Sequence, residues 1–317
     1  MITALVAGDG PVRLLSEDEA AAYSGSGFVW VHVEGQDDLA AAVHKSDGAI
    51  PEVAASALVA TETRPRCDAV EHGAILNLRG LGDCPPGEAD RLVSIRLWIR
   101  DSRVVSVSRH SMPATATVRA KMEAGRIHDS GDLVAAYAWA ISTQLDPEVA
   151  ALGDTLDDVE SDLESAHLYR LRRAITAVRS EAISFRRFVA PDRDALQTLP
   201  GLGFEWLAEE DRLHIVEAAD RFARMAEELE AVRERAALLH EQITDLRAEQ
   251  VDQRALYIAI VAFIFLPLTF ITGLLGMNVE GIPYAHSPLS FWGIAAFCVV
   301  TGLGVFAWFY WRHWINR

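Results

Sequence analysis

ALYIAIVAFIFLPLTFITGLL, Ala255–Leu275, followed directly by Gly276-Met277-Asn278, is the stretch that decides the fold. It is uncharged throughout and longer than the ~20 residues a helix needs to cross the hydrocarbon core of a bilayer. A second uncharged run, LSFWGIAAFCVVTGLGVFAWFYW, covers Leu289–Trp311. From Ala255 to Trp311 the only charged residue is Glu280. The two runs are read as transmembrane helices over 255–275 and 289–311, joined by a loop over 276–288. The competing reading is a pair of buried helices in a soluble core.

The first span is unusual for a plain anchor. It holds Pro267, Thr269, Thr272 and Gly273. Pro267 has no N–H to donate, so it frees a carbonyl one turn earlier. At membrane depth such features face protein or a water-filled path. The second span has Thr301 as its one comparable polar feature and suits a lipid-facing position. The loop contains no Lys or Arg, whereas Arg254 precedes the first span and Arg312 and Arg317 follow the second. The positive-inside rule then places both termini in the cytoplasm and the loop outside, with Trp308, Tyr310, Trp311 and Trp314 as an aromatic belt at the inner interface. The opening MITALVAGDG lacks a basic segment and a long apolar one, so no cleavable signal peptide is expected.

Everything before Ala255 reads as a water-soluble, acidic region. Runs rich in β-branched and aromatic residues, Phe28–Gly35, Gly73–Gly80, Leu92–Arg100 and Val104–Arg109, are bounded by Gly, Asp or Pro and predict strands. Asp101-Ser102-Arg103 predicts a hairpin between the last two. Helical stretches fall between them, for instance Asp37–Lys45. The expectation is an α/β cytoplasmic domain over 1–130, followed by a long helical stalk region over 131–254. In the stalk, Asp132-Leu133-Val134 opens a helix. A long amphipathic helix then carries Leu156, Val159, Leu163, Leu171, Ile175 and Val178 on one face, and Pro191 ends it. A last helix starts near Trp206 or Asp211 and runs unbroken into the membrane.

That last helix carries two stripes. Met225, Leu229, Val232, Ala236, Leu239, Ile243 and Leu246 repeat at 4-3 spacing, a heptad-like seam that reads as a packing surface against the preceding helix. Glu241, Asp245, Ala248, Asp252, Ala255, Ala259, Ala262, Leu266, Thr269 and Gly273 keep the same spacing on another face. This second stripe is acidic before the membrane and small or weakly polar within it, with Leu266 as a candidate constriction. Small residues permit close helix approach. One copy of the helix encloses nothing, but several copies around an axis would form a pore.

Gly276-Met277-Asn278, placed directly after FLPLTFITGLL, resembles the signature of the CorA family of divalent metal-ion transporters. RRFVAPDRDALQTL (186–199) is similar to the family's junction between long helices. RPRCD (64–68), LNLRG (76–80), VSIRLWI (93–99) and GMNVEGIP (276–283) resemble its zinc-transporter branch, ZntB. Two departures matter. That branch usually has two glycines before Ile-Pro, and here the first is Glu280. The magnesium and cobalt branch has Met-Pro-Glu-Leu where this chain has Ile282-Pro283-Tyr284-Ala285. The resemblance implies a homopentameric funnel in the inner membrane, with the first spans lining a central pore. It implies transport of a divalent cation, zinc first and magnesium or cobalt as alternatives, with no prosthetic group.

On that footing Gly276, Met277 and Asn278 are the selectivity mouth. Asn278 offers a carbonyl acceptor and two amide donors, suited to holding the hydration water of an ion such as Mg²⁺ that dehydrates reluctantly. A neutral ring releases what it binds, as conduction requires. The bland reading is that Asn278 caps a turn after Gly276. Asp252, Ala255, Ala259, Ala262, Leu266, Thr269 and Gly273 are the pore-lining candidates. Glu241, Asp245 and Asp252 are the cation-attracting ones. His214 and Glu217, spaced i, i+3, are a minor metal candidate, and His286 reads as a surface residue.

The charge balance agrees. The chain has 45 acidic and 29 basic residues, a formal net charge of −16, which argues against nucleic-acid binding. From Gly201 to Asp252 there are 14 acidic and 6 basic residues, so this segment's −8 is half the total. Cys67, Cys84 and Cys298 lie far apart and form no CxxC pair, so neither a disulfide framework nor a thiolate zinc site is expected. No phosphate-binding glycine loop, HExxH or nucleophile elbow is present, so no enzyme is expected. The rival of another class is a membrane-anchored coiled-coil scaffold or sensor, which explains the seam but leaves the polar face of the first span unexplained.

Overall fold

The structure is a computed structural model. It describes all residues except 9, 36–38, 48–49, 62–63, 84–90, 164–167, 278–281, 283–286 and 316–317, and the side chains of 46 and 312–315. The chain forms two units, Met1–His240 and Glu241–Arg317.

In the first unit, seven strands form one mixed sheet: β1 (Ile2–Ala7), β2 (Arg13–Leu15), β3 (Phe28–Glu34), β4 (Arg66–Val70), β5 (Gly73–Leu81), β6 (Leu92–Arg100) and β7 (Arg103–Ser108). The order is β2-β1-β3-β7-β6-β5-β4. Only β3 and β7 run parallel, with Trp30 opposite Val104. β6 and β7 pair antiparallel with Arg100 opposite Arg103, so the hairpin turn is the two residues Asp101-Ser102. Four strands fall where the β-rich runs place them. β1, β2 and β4 have weaker patterns. β4 is an edge strand whose Arg66 and Asp68 are exposed, which blunts further pairing.

The sheet is covered on both faces. α1 (Glu17–Ala22), α2 (Leu39–Ser46) and α3 (Glu52–Val59) bury Ala20, Leu39, Val43, Ala54 and Leu58 against Val29, Val31, Val33, Trp98, Val105 and Val107. α1 begins at a capping box in which Ser16 and Glu19 exchange hydrogen bonds. On the other face lie α4 (Pro113–Glu123), α5 (Ser130–Ser161) and α6 (Leu168–Gly201). Trp30 meets Tyr137 of α5 edge-on at 6.0 Å. Gly80 lets α5 approach, since a Cβ there would lie 3.0 Å from the Ile141 side chain.

Two helix boundaries differ from expectation. The helix expected across Leu156–Val178 is two helices, because α5 ends at Ser161 and the chain turns at Asp162-Leu163. Pro191 does not end α6, which continues to Gly201. The missing N–H at Pro191 is tolerated because the next residue is tied to the sheet. The Asp192 Oδ1 accepts the Arg79 N–H at 2.9 Å. β4 stops pairing with β5 at Asn77, so this N–H has no strand partner.

α7 runs unbroken from Glu209 to Leu275, as expected. Within the first unit its seam residues Met225, Leu229, Val232, Ala236 and Leu239 are all buried, as a packing surface requires. Charged contacts flank them. Arg235 pairs with Asp157 at 2.5 Å and with Glu160, both on α5. Arg186 of α6 pairs with Glu230 at 2.9 Å, and the Arg221 guanidinium sits 4.3 Å over the Trp139 ring.

In the second unit α7 continues past Pro267 and is followed by α8 (Pro288–Ile315). Both helices are long and apolar enough to cross a membrane, and none of either apolar window is buried. Trp308, Tyr310 and Trp311 are exposed on α8.

Candidate functional site

On α7 between Ala255 and Leu275 the half-buried residues are Ile260, Ile264, Leu268, Ile271 and Leu275. This is the face that meets α8. A Cβ at Gly302 would lie 3.8 Å from Ile264 Cγ2 and 3.9 Å from Leu268 Cδ1, and the Phe263 and Phe309 rings meet edge-on at 6.0 Å. At 3.6 residues per turn, Ala255, Ala259, Ala262, Leu266, Thr269 and Gly273 centre about 180° from that face. All six are exposed, Leu266 by 74%. The small, weakly polar stripe therefore points directly away from α8. Thr301 is half-buried on the α7-facing side of α8, together with Ser290, Ile294, Cys298 and Val305.

Thr272 lies off the stripe. The Thr272 hydroxyl donates to the Leu268 carbonyl at 2.9 Å and to the Thr269 carbonyl at 3.2 Å, so it is satisfied within its own helix. The end of the helix is tight. The Gly276 N–H donates to the Thr272 carbonyl at 2.9 Å, and a Cβ at Gly276 would lie 3.0 Å from that oxygen. A side chain here would push on that carbonyl, so glycine fits the tight turn best. Met277 follows, 47% exposed. Asn278 lies outside the described residues, as do Glu280, Tyr284, Ala285, His286 and Cys84. Before the spans, Glu241, Asp245 and Asp252 are all exposed on α7.

In the first unit His214 and Glu217 line one cleft of about 420 Å³ with Asp132, Trp139, Lys121 and Arg126. The two cations weigh against a metal there. Beside this cleft lies a group that sequence reasoning missed. Asp129, Asp132 and Asp211 each present a carboxylate oxygen within 4.8 Å of the others. Asp129 is the N-cap of α5 and accepts the Asp132 N–H at 2.9 Å. The Asp132 Oδ2 accepts the His128 N–H at 2.9 Å and lies 3.1 Å from its Nδ1. Asp211, in the first turn of α7, is buried. Burial pushes its carboxyl up to about 6, reinforced by the charges of Asp129 and Asp132 and opposed by the Ala208 N–H and His214. Some 80 residues separate its members, so no local motif reveals it.

Cys67 and Cys298 are free thiols, and burial pushes Cys67 up to about 12, which leaves it unreactive.

Comparison with known proteins places this architecture. The chain is 28% identical over 287 residues to the zinc transport protein ZntB of Pectobacterium atrosepticum, covering 90% of this chain and 88% of that one. It is 31% identical over 291 residues to the divalent cation transporter CmaX of Pseudomonas aeruginosa, covering 90% and 86%. The structure of full-length CmaX superposes with a TM-score of 0.77 over 99% of this chain and 97% of that one, at 28% identity. The CorA magnesium transporter of Methanocaldococcus jannaschii shares the fold, with a TM-score of 0.80 at 18% identity over 97% and 96%. The family model described as CorA-like Mg2+ transporter protein matches residues 25–312, and the chain belongs to that family.

Proposed function

We propose that this chain is a divalent cation transporter of the inner membrane, assembled as a homopentamer around α7, with zinc as the principal cargo. One observation carries the pore assignment. The face of α7 that bears Ala255, Ala259, Ala262, Leu266, Thr269 and Gly273 is diametrically opposed to the face that α8 covers. In a ring of copies with α8 outermost, that stripe is the surface left to face the axis. Glu241, Asp245 and Asp252 extend it as rings of carboxylates that concentrate cations at the inner mouth. Gly276, Met277 and Asn278 form the outer mouth, with both termini in the cytoplasm.

Zinc is favoured by the ZntB-like segments at 64–68, 76–80, 93–99 and 276–283 and by similarity to a zinc transport protein. Magnesium is the second reading, supported by the family's own description. Cobalt stands with it. A membrane potential negative inside drives uptake by ~2.3 kcal/mol per charge per 100 mV.

Flux into proteoliposomes, with zinc, magnesium and cobalt in competition, tests the proposal. Asn278→Ala is expected to abolish or severely reduce uptake of all three while the protein remains oligomeric. Near-normal uptake in this variant removes Asn278 from the mechanism. No flux of any ion by the parent protein leaves the membrane-anchored scaffold as the better reading.

A further inference from the structure

We propose that Asp129, Asp132 and Asp211 hold a hard, oxygen-preferring divalent cation of the Mg²⁺, Mn²⁺ or Ca²⁺ class within a single subunit, clasping the start of α5 to the start of α7. The site is distinct from the proposed ion pathway and does not depend on it.

Two observations converge. The first is spacing. One oxygen from each carboxylate lies within 4.8 Å of the others. Oxygens sharing one such ion at about 2.0–2.6 Å stand at most about 4.0–5.2 Å apart, so one ion reaches all three with little movement. The second is an unsatisfied oxygen. Asp211 is 4% exposed, and its Oδ2 is sealed from solvent without a hydrogen-bond partner. It rests on Gly131, where a Cβ would lie 2.3 Å from that oxygen, so only glycine leaves the space open. A buried carboxylate oxygen with no donor, beside two more carboxylates, is costly unless a cation neutralises it.

The cationic side chains nearby, Lys121 and Arg126, line the adjoining cleft with Asp132, and His128 meets Asp132 alone. Among the described residues, no Lys or Arg forms an ion pair with any of the three. Arg212, next to Asp211, is committed to the carbonyls of Leu207, Pro200 and Phe204. The donor set is all carboxylate, without a thiolate, which favours a hard ion over zinc. The hydrogen bonds that His128 and the Asp132 N–H give to Asp132 and Asp129 orient those two ligands, as outer partners do at metal sites.

Mn²⁺ titration of the full-length protein in detergent, with free Mn²⁺ counted by electron paramagnetic resonance, tests this. Asp211→Asn and Asp132→Asn are each expected to remove one bound Mn²⁺ per subunit, or to raise its Kd at least about tenfold. Excess Mg²⁺ should displace that ion from the parent. The exposed Asp154→Asn serves as control and should bind as the parent does. Unchanged stoichiometry and affinity in both site variants, each still folded and oligomeric, overturns the proposal. So does loss with Glu217→Gln but not with Asp211→Asn, which would place the ion in the neighbouring cleft. Having two site variants keeps the test decisive if one fails to fold.

Discussion

Asp192→Asn should convert a pH-dependent penalty on folding into a pH-independent one. Asp192 is fully buried beneath β5. Its Oδ1 accepts the Arg79 N–H at 2.9 Å, while Oδ2 has no partner. Burial holds its carboxyl well above the usual range, against the opposing pull of the Arg79 N–H and charge. In the unfolded chain the same group titrates near 3.9. Between that value and the raised folded one, the folded state binds a proton that the unfolded state has lost. Stability of the parent therefore falls as pH rises through this window, by roughly 1 kcal/mol or slightly more per pH unit. Asparagine keeps an acceptor for the Arg79 N–H and has no charge to lose. Any amide N–H left unpaired where Oδ2 stood adds a pH-independent cost of about 1–3 kcal/mol. The slope, not the offset, is the readout. Denaturant unfolding in detergent at pH 4.5, 5.5, 6.5 and 7.5, followed by tryptophan fluorescence, should show the variant gaining on the parent with each step upward, until the folded pKa is passed. Parallel curves across the whole range would refute the reasoning, because they would mean that Asp192 carries the same charge in both states.

Two further expectations concern the membrane side. The triple change Glu241→Gln, Asp245→Asn, Asp252→Asn should lower flux at low ionic strength and flatten its salt dependence, since screening already weakens such rings at high salt; identical flux and salt response would turn the stripe away from the pathway. A cysteine introduced at Ser287 should react with an impermeant reagent from outside, and one at the C-terminus should not; the reverse pattern inverts the topology.

Much of this architecture was legible from residue pattern, and the gaps have physical causes. The two spans and the β-rich runs at 28–35, 73–80, 92–100 and 104–109 stand out because burial on one or both faces forces apolar, β-branched composition. β1 lies between β2 and β3, second from the sheet edge, and although Gly8-Asp9-Gly10 marks a turn after it, its Ala- and Leu-containing run Ile2–Ala7 is less β-branched than the four legible strands. β4 escaped notice because an edge strand is allowed to be polar. Pro191 predicts a helix end from its local cost alone, whereas α6 continues through it beside the tertiary bond from Arg79 to Asp192. The seam of α7 was readable because 4-3 spacing survives in a long helix. The carboxylate group at Asp129, Asp132 and Asp211 was not, because its members meet only when the start of α7 reaches the start of α5. His214 and Glu217 are readable as an i, i+3 pair, yet their cationic neighbours Lys121 and Arg126 come from other elements.

The placement of ligand types constrains how an ion could pass on the proposed reading. The stripe offers Ala, Leu and Gly with the single hydroxyl of Thr269. The soft donor in the spans, Cys298, sits on the α7-facing side of α8 and is turned away from the stripe. Stripping a divalent ion of water costs far more than such a surface returns, since even a single charge moved into low dielectric loses on the order of 20 kcal/mol. The ion must then keep its first hydration shell throughout the stripe, and Leu266, the bulkiest side chain on it, acts on the hydrated complex by size and dewetting. Selection falls to Asn278, whose amide meets water molecules and not the metal itself. Zinc's preference for imidazole and thiolate has no place to act along this path. Discrimination between zinc and magnesium therefore rests on the size, geometry and exchange of their water shells, and in the competition assay a preference for zinc should survive removal of the Cys298 thiol.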